Sequence, residues 1–116
     1  MKKAVNVTRN KTLANSLLVA DTFLSSLLGL MGRRHLPIGE GLWISPCQSV
    51  HSMWMRFPID VIFLSRQKSI IYMVENMRPF RITKYVSESR SVIELPANTI
   101  TTTCTQVGDR VEITEG

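Results

Sequence analysis

The stretch Met53-Trp54-Met55-Arg56-Phe57-Pro58-Ile59-Asp60-Val61-Ile62-Phe63-Leu64 is the most apolar run of the sequence and decides the fold. Its second half, residues 59–64, is rich in β-branched and aromatic residues, which is typical of a strand buried on both faces. A second apolar run, residues 70–74, follows after a short polar interruption. So short a connection predicts a β-hairpin of 59–64 with 70–74 at the centre of the core.

Two carboxylates, Asp60 and Glu94, stand inside predicted strands, each between two apolar neighbours. A buried carboxylate without partners costs several kcal/mol, so each must find donors, reach solvent or stay protonated. If the two share one pocket, they are a candidate catalytic acid and base. The alternative for Asp60, which we prefer, is a structural acceptor for backbone N–H groups in the turn after Pro58.

Five motifs along the chain, taken in order, resemble a known family. They are Gly29-Leu30-Met31-Gly32-Arg33, Gly41-Leu42-Trp43, Trp54-Met55-Arg56 leading into Pro58–Phe63, Ile93-Glu94-Leu95-Pro96-Ala97, and Val107-Gly108-Asp109-Arg110-Val111. Together they resemble the domain of unknown function 192 family, also called uncharacterised protein family 0127, from about Val5 to about Ile113. The resemblance implies a small β-rich domain with a short helix near its start, and no established activity. Asn98 stands where the family's glycine is expected, and Asn tolerates the left-handed backbone needed there.

The remaining pattern predicts one helix and several further strands. From Asp21, a good N-cap residue, apolar residues recur at helical spacing as far as Met31, and Gly32 then supplies a stop signal. Strands are expected at 4–8, 17–20, 42–44, 91–95 and 110–113, and the threonine-rich segment 99–105 has β propensity. We therefore expect an α+β, mainly β fold: a small barrel-like or strongly curved, mostly antiparallel sheet with one helix near the N-terminus.

The length of 116 residues predicts a single domain over 1–116, with a core that needs no disulfides or metals. Cys47 and Cys104 are far apart and lack a C-x-x-C spacing, which favours two free thiols and a cytoplasmic location. The basic start is not expected to be a signal peptide because Asn15 and Ser16 interrupt the apolar run that follows it. No stretch is long enough to span a bilayer.

Cofactor, metal and nucleic-acid functions find little support in the sequence. Cys47, His51, Cys104 and His35 are the residue types of a zinc site, but no close pair of ligands marks each end, so no metal and no cofactor are expected. The net charge of +5 comes from basic residues scattered over different predicted loops, without interleaved aromatic residues. Such a pattern favours a solvated basic surface over a nucleic-acid partner.

Two functions are compatible with these residues. The first is a non-catalytic domain that binds a small molecule or a protein partner in a cleft near Trp54, Arg56, His51 and Arg33. The second is a small hydrolase or lyase that uses Asp60 and Glu94 as acid and base. Neither the ligand nor the oligomeric state follows from the sequence.

Overall fold

The computed structural model describes residues 2–20, 35–52 and 55–115. Within them lie seven strands and one short helix. The strands are β1 (Lys2–Asn6), β2 (Lys11–Ala20), β3 (Glu40–Ile44), β4 (Ile59–Leu64), β5 (Ile70–Met77), β6 (Ser91–Pro96) and β7 (Val111–Glu115), and the helix is α1 (Thr99–Thr102). No helix among the described residues is long and apolar enough to cross a membrane.

All seven strands form one sheet in the order β5-β4-β6-β3-β2-β1-β7. Every neighbouring pair is antiparallel except β2 with β3. The two edge strands approach each other at one end, where Ser69 bridges Arg110 and the Ile70 N–H donates to the Asp109 carbonyl at 2.8 Å. The sheet is therefore strongly curved and partly closed, as the sequence predicted.

The predicted hairpin is present, and its second strand is longer than expected. β4 pairs antiparallel with β5, which runs on to Met77. All six residues of β4 are buried, and the ring of Phe63 lies tilted against the ring of Tyr72 of β5, with 5.4 Å between the ring centres. The position of β5 differs from the prediction, because β5 forms an edge of the sheet and only β4 is an interior strand. β4 is flanked by β6, a strand equally buried along its whole length.

The sheet is apolar on both faces. Successive side chains of a strand point to opposite faces, and directly paired residues share a face. Leu42, Val61 and Val92 belong to one buried cluster, and Ile62 and Ile93 belong to a second. The central strands are thus covered on both sides, which explains why their sequences are continuous apolar runs rather than alternating patterns.

The helix prediction needs a correction. The helix that the described residues contain lies at Thr99–Thr102, not near the N-terminus, and the predicted helix from Asp21 to Met31 lies outside the described residues. The β propensity of the threonine-rich segment was misleading, because tertiary contacts hold this turn as a helix. Its N-cap residue Asn98 has a φ of 75°, so the left-handed backbone expected at this position is confirmed.

Candidate functional site

The two candidate catalytic carboxylates are on neighbouring strands but point to opposite faces of the sheet. Asp60 of β4 pairs with Leu95 of β6, whereas Glu94 pairs with Val61 of β4 and Leu42 of β3. Because paired residues share a face, Glu94 lies with Leu42 and Val61, and Asp60 lies on the other side. The structure does not bring the two carboxylates into one pocket. The hypothesis that they form a shared acid–base site is therefore wrong.

Asp60 is fully buried and is tied to backbone donors. One carboxylate oxygen accepts the Asn76 N–H at 2.9 Å, and the other accepts the Ile100 N–H at 2.8 Å. Ile100 lies in the first turn of α1, so Asp60 satisfies a helix N–H that has no partner inside the helix. The structural role preferred from the sequence is thus present, although the donors come from β5 and α1 rather than from the turn after Pro58.

Glu94 has a different environment. Its side chain is 5% exposed, and its carboxylate forms no hydrogen bond or ion pair with any residue that the structure describes. Burial among apolar neighbours raises the pKa of this carboxyl to about 7. A protein interior rarely leaves a carboxylate in this state without a functional reason. Glu94 is therefore the residue on this side of the sheet that we consider the best candidate for a functional role.

The face of the sheet that carries Glu94, together with Leu42, Val61 and Val92, is hereafter called the Glu94 face. It continues from Leu42 to Leu18 of β2, which pairs with Leu42 and is 44% exposed. Leu18 and Glu94 are two strands apart, or roughly 10 Å. Apolar side chains on this face thus extend from the buried carboxyl to the partly exposed Leu18.

Cys47 borders the same site. Its half-buried thiol donates to the Ser49 carbonyl at 3.1 Å, and the residue packs against the cluster of the Glu94 face. Burial raises the pKa of the Cys47 thiol, and the nearby charge of Glu94 raises it further. A thiol with a raised pKa is mostly protonated and is a weak nucleophile or metal ligand. Nothing in the linear spacing links Cys47 to Glu94, so this neighbourhood was not predicted from the sequence.

The other predicted ligand-binding residues belong to the segment between β3 and β4 or lie outside the described part. His51 and Arg56 are exposed members of this segment, whose Val50 and Met55 are buried in the cluster of the Glu94 face. Trp54 and Arg33 lie outside the described residues. Two of the four predicted residues are therefore in a segment that covers the site.

The metal hypothesis finds no cluster in the described part of the chain. No group of three or more His, Cys, Asp or Glu side chains there is arranged to hold an ion. Cys104 is exposed, and Cys47 and Cys104 are both free thiols. Whether folding needs a metal stays a prediction from the sequence.

A separate charged cluster, around Asp109, is structural. Its buried carboxylate accepts from the Arg9 guanidinium at 2.9 Å, from the Asn6 amide at 3.0 Å and from the Gln106 N–H at 2.9 Å. Burial acts to raise the pKa of Asp109, but these hydrogen bonds outweigh it and lower the pKa to about 2. The cluster ties the β1–β2 turn to the loop before β7.

Comparison with known proteins agrees with the motifs. The sequence pattern of the DUF192 family, described as Uncharacterized ACR, COG1430, matches residues 5–113. A UPF0127 protein of Pyrococcus furiosus is 32% identical over 113 residues, which cover 93% of this chain and 95% of that protein. A UPF0127 protein of Pyrococcus horikoshii is 28% identical over 93% of this chain and 96% of that protein.

Two crystal structures share the fold. A protein of unknown function from Novosphingobium aromaticivorans has a TM-score of 0.82 and 19% identity, over 96% of this chain and 82% of that one. A putative transcription regulator from Sinorhizobium meliloti has a TM-score of 0.81 and 22% identity, over 97% of this chain and 93% of that one. At such identities the likeness concerns the fold alone.

Proposed function

The chain belongs to the DUF192 family, and we propose that it serves as a non-catalytic binding domain for a small ligand held over the Glu94 face. The observation that carries this proposal is the buried Glu94 carboxylate, which has no partner among the described residues. A buried polar group without a partner is costly to the free protein, and a ligand that supplies the partner recovers that cost.

The chemistry of the site favours a ligand that joins a cationic nitrogen to an apolar body. The pKa of Glu94 rises from 4.5 to about 7 on burial, so ionising it in the free protein costs about 3 kcal/mol more than in water. A primary amine placed beside the carboxylate offsets this cost, because the attraction of opposite charges is strong where water is excluded. The apolar side chains of the Glu94 face, which extend from Val61 and Leu42 to the partly exposed Leu18, suit the apolar part of such a ligand.

The segment between β3 and β4 supports the same proposal. Its buried residues pack on the Glu94 face, and it also carries Cys47, His51 and Arg56. We propose that His51 and Arg56 border the ligand, with Trp54 and Arg33 as further candidates from the sequence. The two free thiols support the predicted cytoplasmic location.

A hydrolase or lyase finds less support. An acid–base pair needs both groups within reach of one substrate, and Asp60 and Glu94 face opposite sides of the sheet. Asp60 is occupied by two backbone N–H groups, and the raised pKa of Cys47 keeps its thiol protonated. Because no second catalytic group lies beside Glu94 among the described residues, this site is better suited to binding a ligand than to catalysis.

The experiment is a fragment screen by NMR. Ring-bearing primary amines are each paired with the corresponding neutral alcohol, and the amide signals of Leu42 and Val61, which flank Glu94, report binding. We expect amines to shift these signals and alcohols to do so far less. Since only the ionised carboxylate attracts the cation, the apparent affinity should fall about tenfold per pH unit below about pH 7 and level off above it.

Glu94→Gln is the decisive variant and Glu88→Gln, at an exposed position, is its matched control. The first should abolish the preference for amines and the pH dependence, and the second should change neither. The proposal fails if no amine shifts the flanking amides, or if amines bind the Glu94→Gln protein as well as they bind the parent.

A further inference from the structure

Two adjoining cavities at one end of the sheet are surrounded by basic side chains. The smaller has a volume of about 230 Å³ and the larger about 450 Å³. Arg66 and Lys68 line both, Arg90 lines the smaller one and Arg110 lines the larger one. None of these four side chains forms an ion pair with another described residue. The larger cavity also contains Glu112, whereas the smaller has no acidic residue in its wall.

The fold gathers these cations from distant parts of the sequence, and backbone hydrogen bonds fix their positions. Lys68 lies in the β4–β5 turn, and its carbonyl accepts the Val111 N–H at 3.0 Å, which holds the start of β7 against the turn. The Arg90 N–H donates to the Leu64 carbonyl at 2.8 Å and so holds the start of β6 there as well. The cluster thus lies on the β4–β5 turn and on the starts of β6 and β7, which backbone hydrogen bonds hold together.

The smaller cavity also offers hydroxyl donors. Three serines line it, namely Ser45, Ser65 and Ser91. The hydroxyls of Ser45 and Ser91 bond to no described residue. The oxygen of Ser65 accepts the Ser69 N–H at 3.1 Å, which leaves its own hydrogen available. The wall therefore carries donors from three hydroxyls and three cations.

Trp43 forms part of the same wall and has an unused donor. Its indole N–H is shielded from solvent and has no hydrogen-bond partner among the described residues. The Lys68 ammonium lies 5.9 Å from the centre of its ring. A buried donor without an acceptor costs about 1–3 kcal/mol. The Trp43 side chain is therefore a natural reporter of changes at this wall.

We propose that the smaller cavity binds an oxyanion, namely the phosphate group of a small phosphorylated molecule or free phosphate. Arg90, Arg66 and Lys68 supply the charge and the serine hydroxyls supply neutral hydrogen bonds, which together suit an anion with several acceptor oxygens. Crowded like charges repel one another, and a bound anion relieves this repulsion. The larger cavity, which shares Arg66 and Lys68, lies next to it and suits the organic part of an ester. This site is on the side of the sheet opposite Glu94, so it is independent of the amine proposal.

The experiment follows the Trp43 indole N–H signal by NMR, assigned by comparison with Trp43→Phe. Inorganic phosphate, phenyl phosphate and sodium chloride are titrated at equal ionic strength. We expect both phosphates to shift the signal in a saturable way and chloride to leave it in place. Tighter binding of phenyl phosphate would assign the larger cavity to an ester, and equal affinities would assign the site to the phosphate group alone.

Arg90→Gln tests the assignment, and Arg78→Gln, at an exposed position outside the walls of both cavities, is the matched control. A hydrogen bond to a charged group contributes about 1.5–3 kcal/mol, so Arg90→Gln should weaken phosphate binding by about tenfold or more. Arg78→Gln should leave the affinity unchanged. Equal shifts with chloride and phosphate, or equal losses in the two variants, would overturn the proposal.

Discussion

Glu94→Gln should change how the stability of the protein depends on pH. The carboxyl has an ordinary pKa of 4.5 and a folded-state pKa of about 7, raised by burial. Each pKa unit corresponds to about 1.4 kcal/mol, so the shift amounts to about 3 kcal/mol. Between pH 4.5 and about 7 the unfolded chain releases this proton while the folded chain keeps it. The free energy of unfolding of the parent should therefore decline as the pH rises through this window and stay level above it.

Glutamine has nearly the shape of the protonated carboxyl but does not titrate, so the variant lacks this decline. We expect the stability of Glu94→Gln relative to the parent to rise by about 3 kcal/mol between about pH 4.5 and about pH 8, whatever its offset at low pH. Urea denaturation across that range measures the change, and contributions from other titrating groups cancel in the difference. Glu88→Gln, at an exposed position, should follow the parent throughout. If the Glu94→Gln curve runs parallel to that of the parent, Glu94 does not carry a raised pKa and the reasoning is refuted.

Three further predictions concern other groups. Asp60→Ala should destabilise the fold by about 1–3 kcal/mol in urea, because it leaves two buried N–H groups without an acceptor; a loss below about 0.5 kcal/mol would contradict this role. Asp109 has a pKa lowered to about 2 by its bonds with Arg9 and other donors, so its stabilisation should be present above pH 3.8 and disappear as the pH falls to about 2. The Asp109→Asn variant should not show this loss of stability between pH 3.8 and about 2, and acid unfolding of the variant and the parent measures the difference. Cys104 is exposed whereas burial raises the pKa of Cys47, so a thiol reagent at neutral pH should modify Cys104 first, and equal rates would be unexpected.

The sequence predicted the strands well because their signals are local. β4 and β6 are apolar runs that end at turn residues or proline, and such runs are typical of strands buried on both faces. The edge position of β5 was not predictable in the same way. Its apolar residues resemble those of a central strand, and only the order of strands in the sheet distinguishes the two.

Tertiary contacts explain why the segment Thr99–Thr102 is helical despite its β propensity. Threonine favours strands, and this segment is rich in threonine. In the structure the Asp60 carboxylate accepts the Ile100 N–H, and the Thr99 hydroxyl bonds back to the Pro96 carbonyl at 2.7 Å. These contacts, one of them from a residue 40 positions away, outweigh the local preference.

The relation between the two anomalous carboxylates could not be deduced from the sequence. Each was correctly predicted to lie inside an apolar strand, but which face each occupies depends on the register of β4 against β6. A shift of one residue exchanges the faces of every side chain in a strand. The observed pairing of Asp60 with Leu95 separates Asp60 from Glu94 and gives them different roles.

The basic cluster was missed for a similar reason. Arg66, Lys68, Arg90 and Arg110 are spread over three segments of the sequence and were interpreted as a scattered, solvated charge. The pairing of β6 with β4 places Arg90 beside the β4–β5 turn, and the partial closure of the sheet at Ser69 and Arg110 brings Arg110 to the same turn. Long-range strand pairing of this kind leaves no trace in local composition.

The most direct test of the Glu94 site is an NMR titration of its side-chain carboxyl carbon, assigned by its loss in Glu94→Gln. A buried carboxylate without a partner predicts a single titration with a midpoint at about 7. A midpoint at or below the ordinary value of 4.5 would mean that the carboxylate is solvated or already paired with a donor, and would contradict both the raised pKa and the binding site built on it.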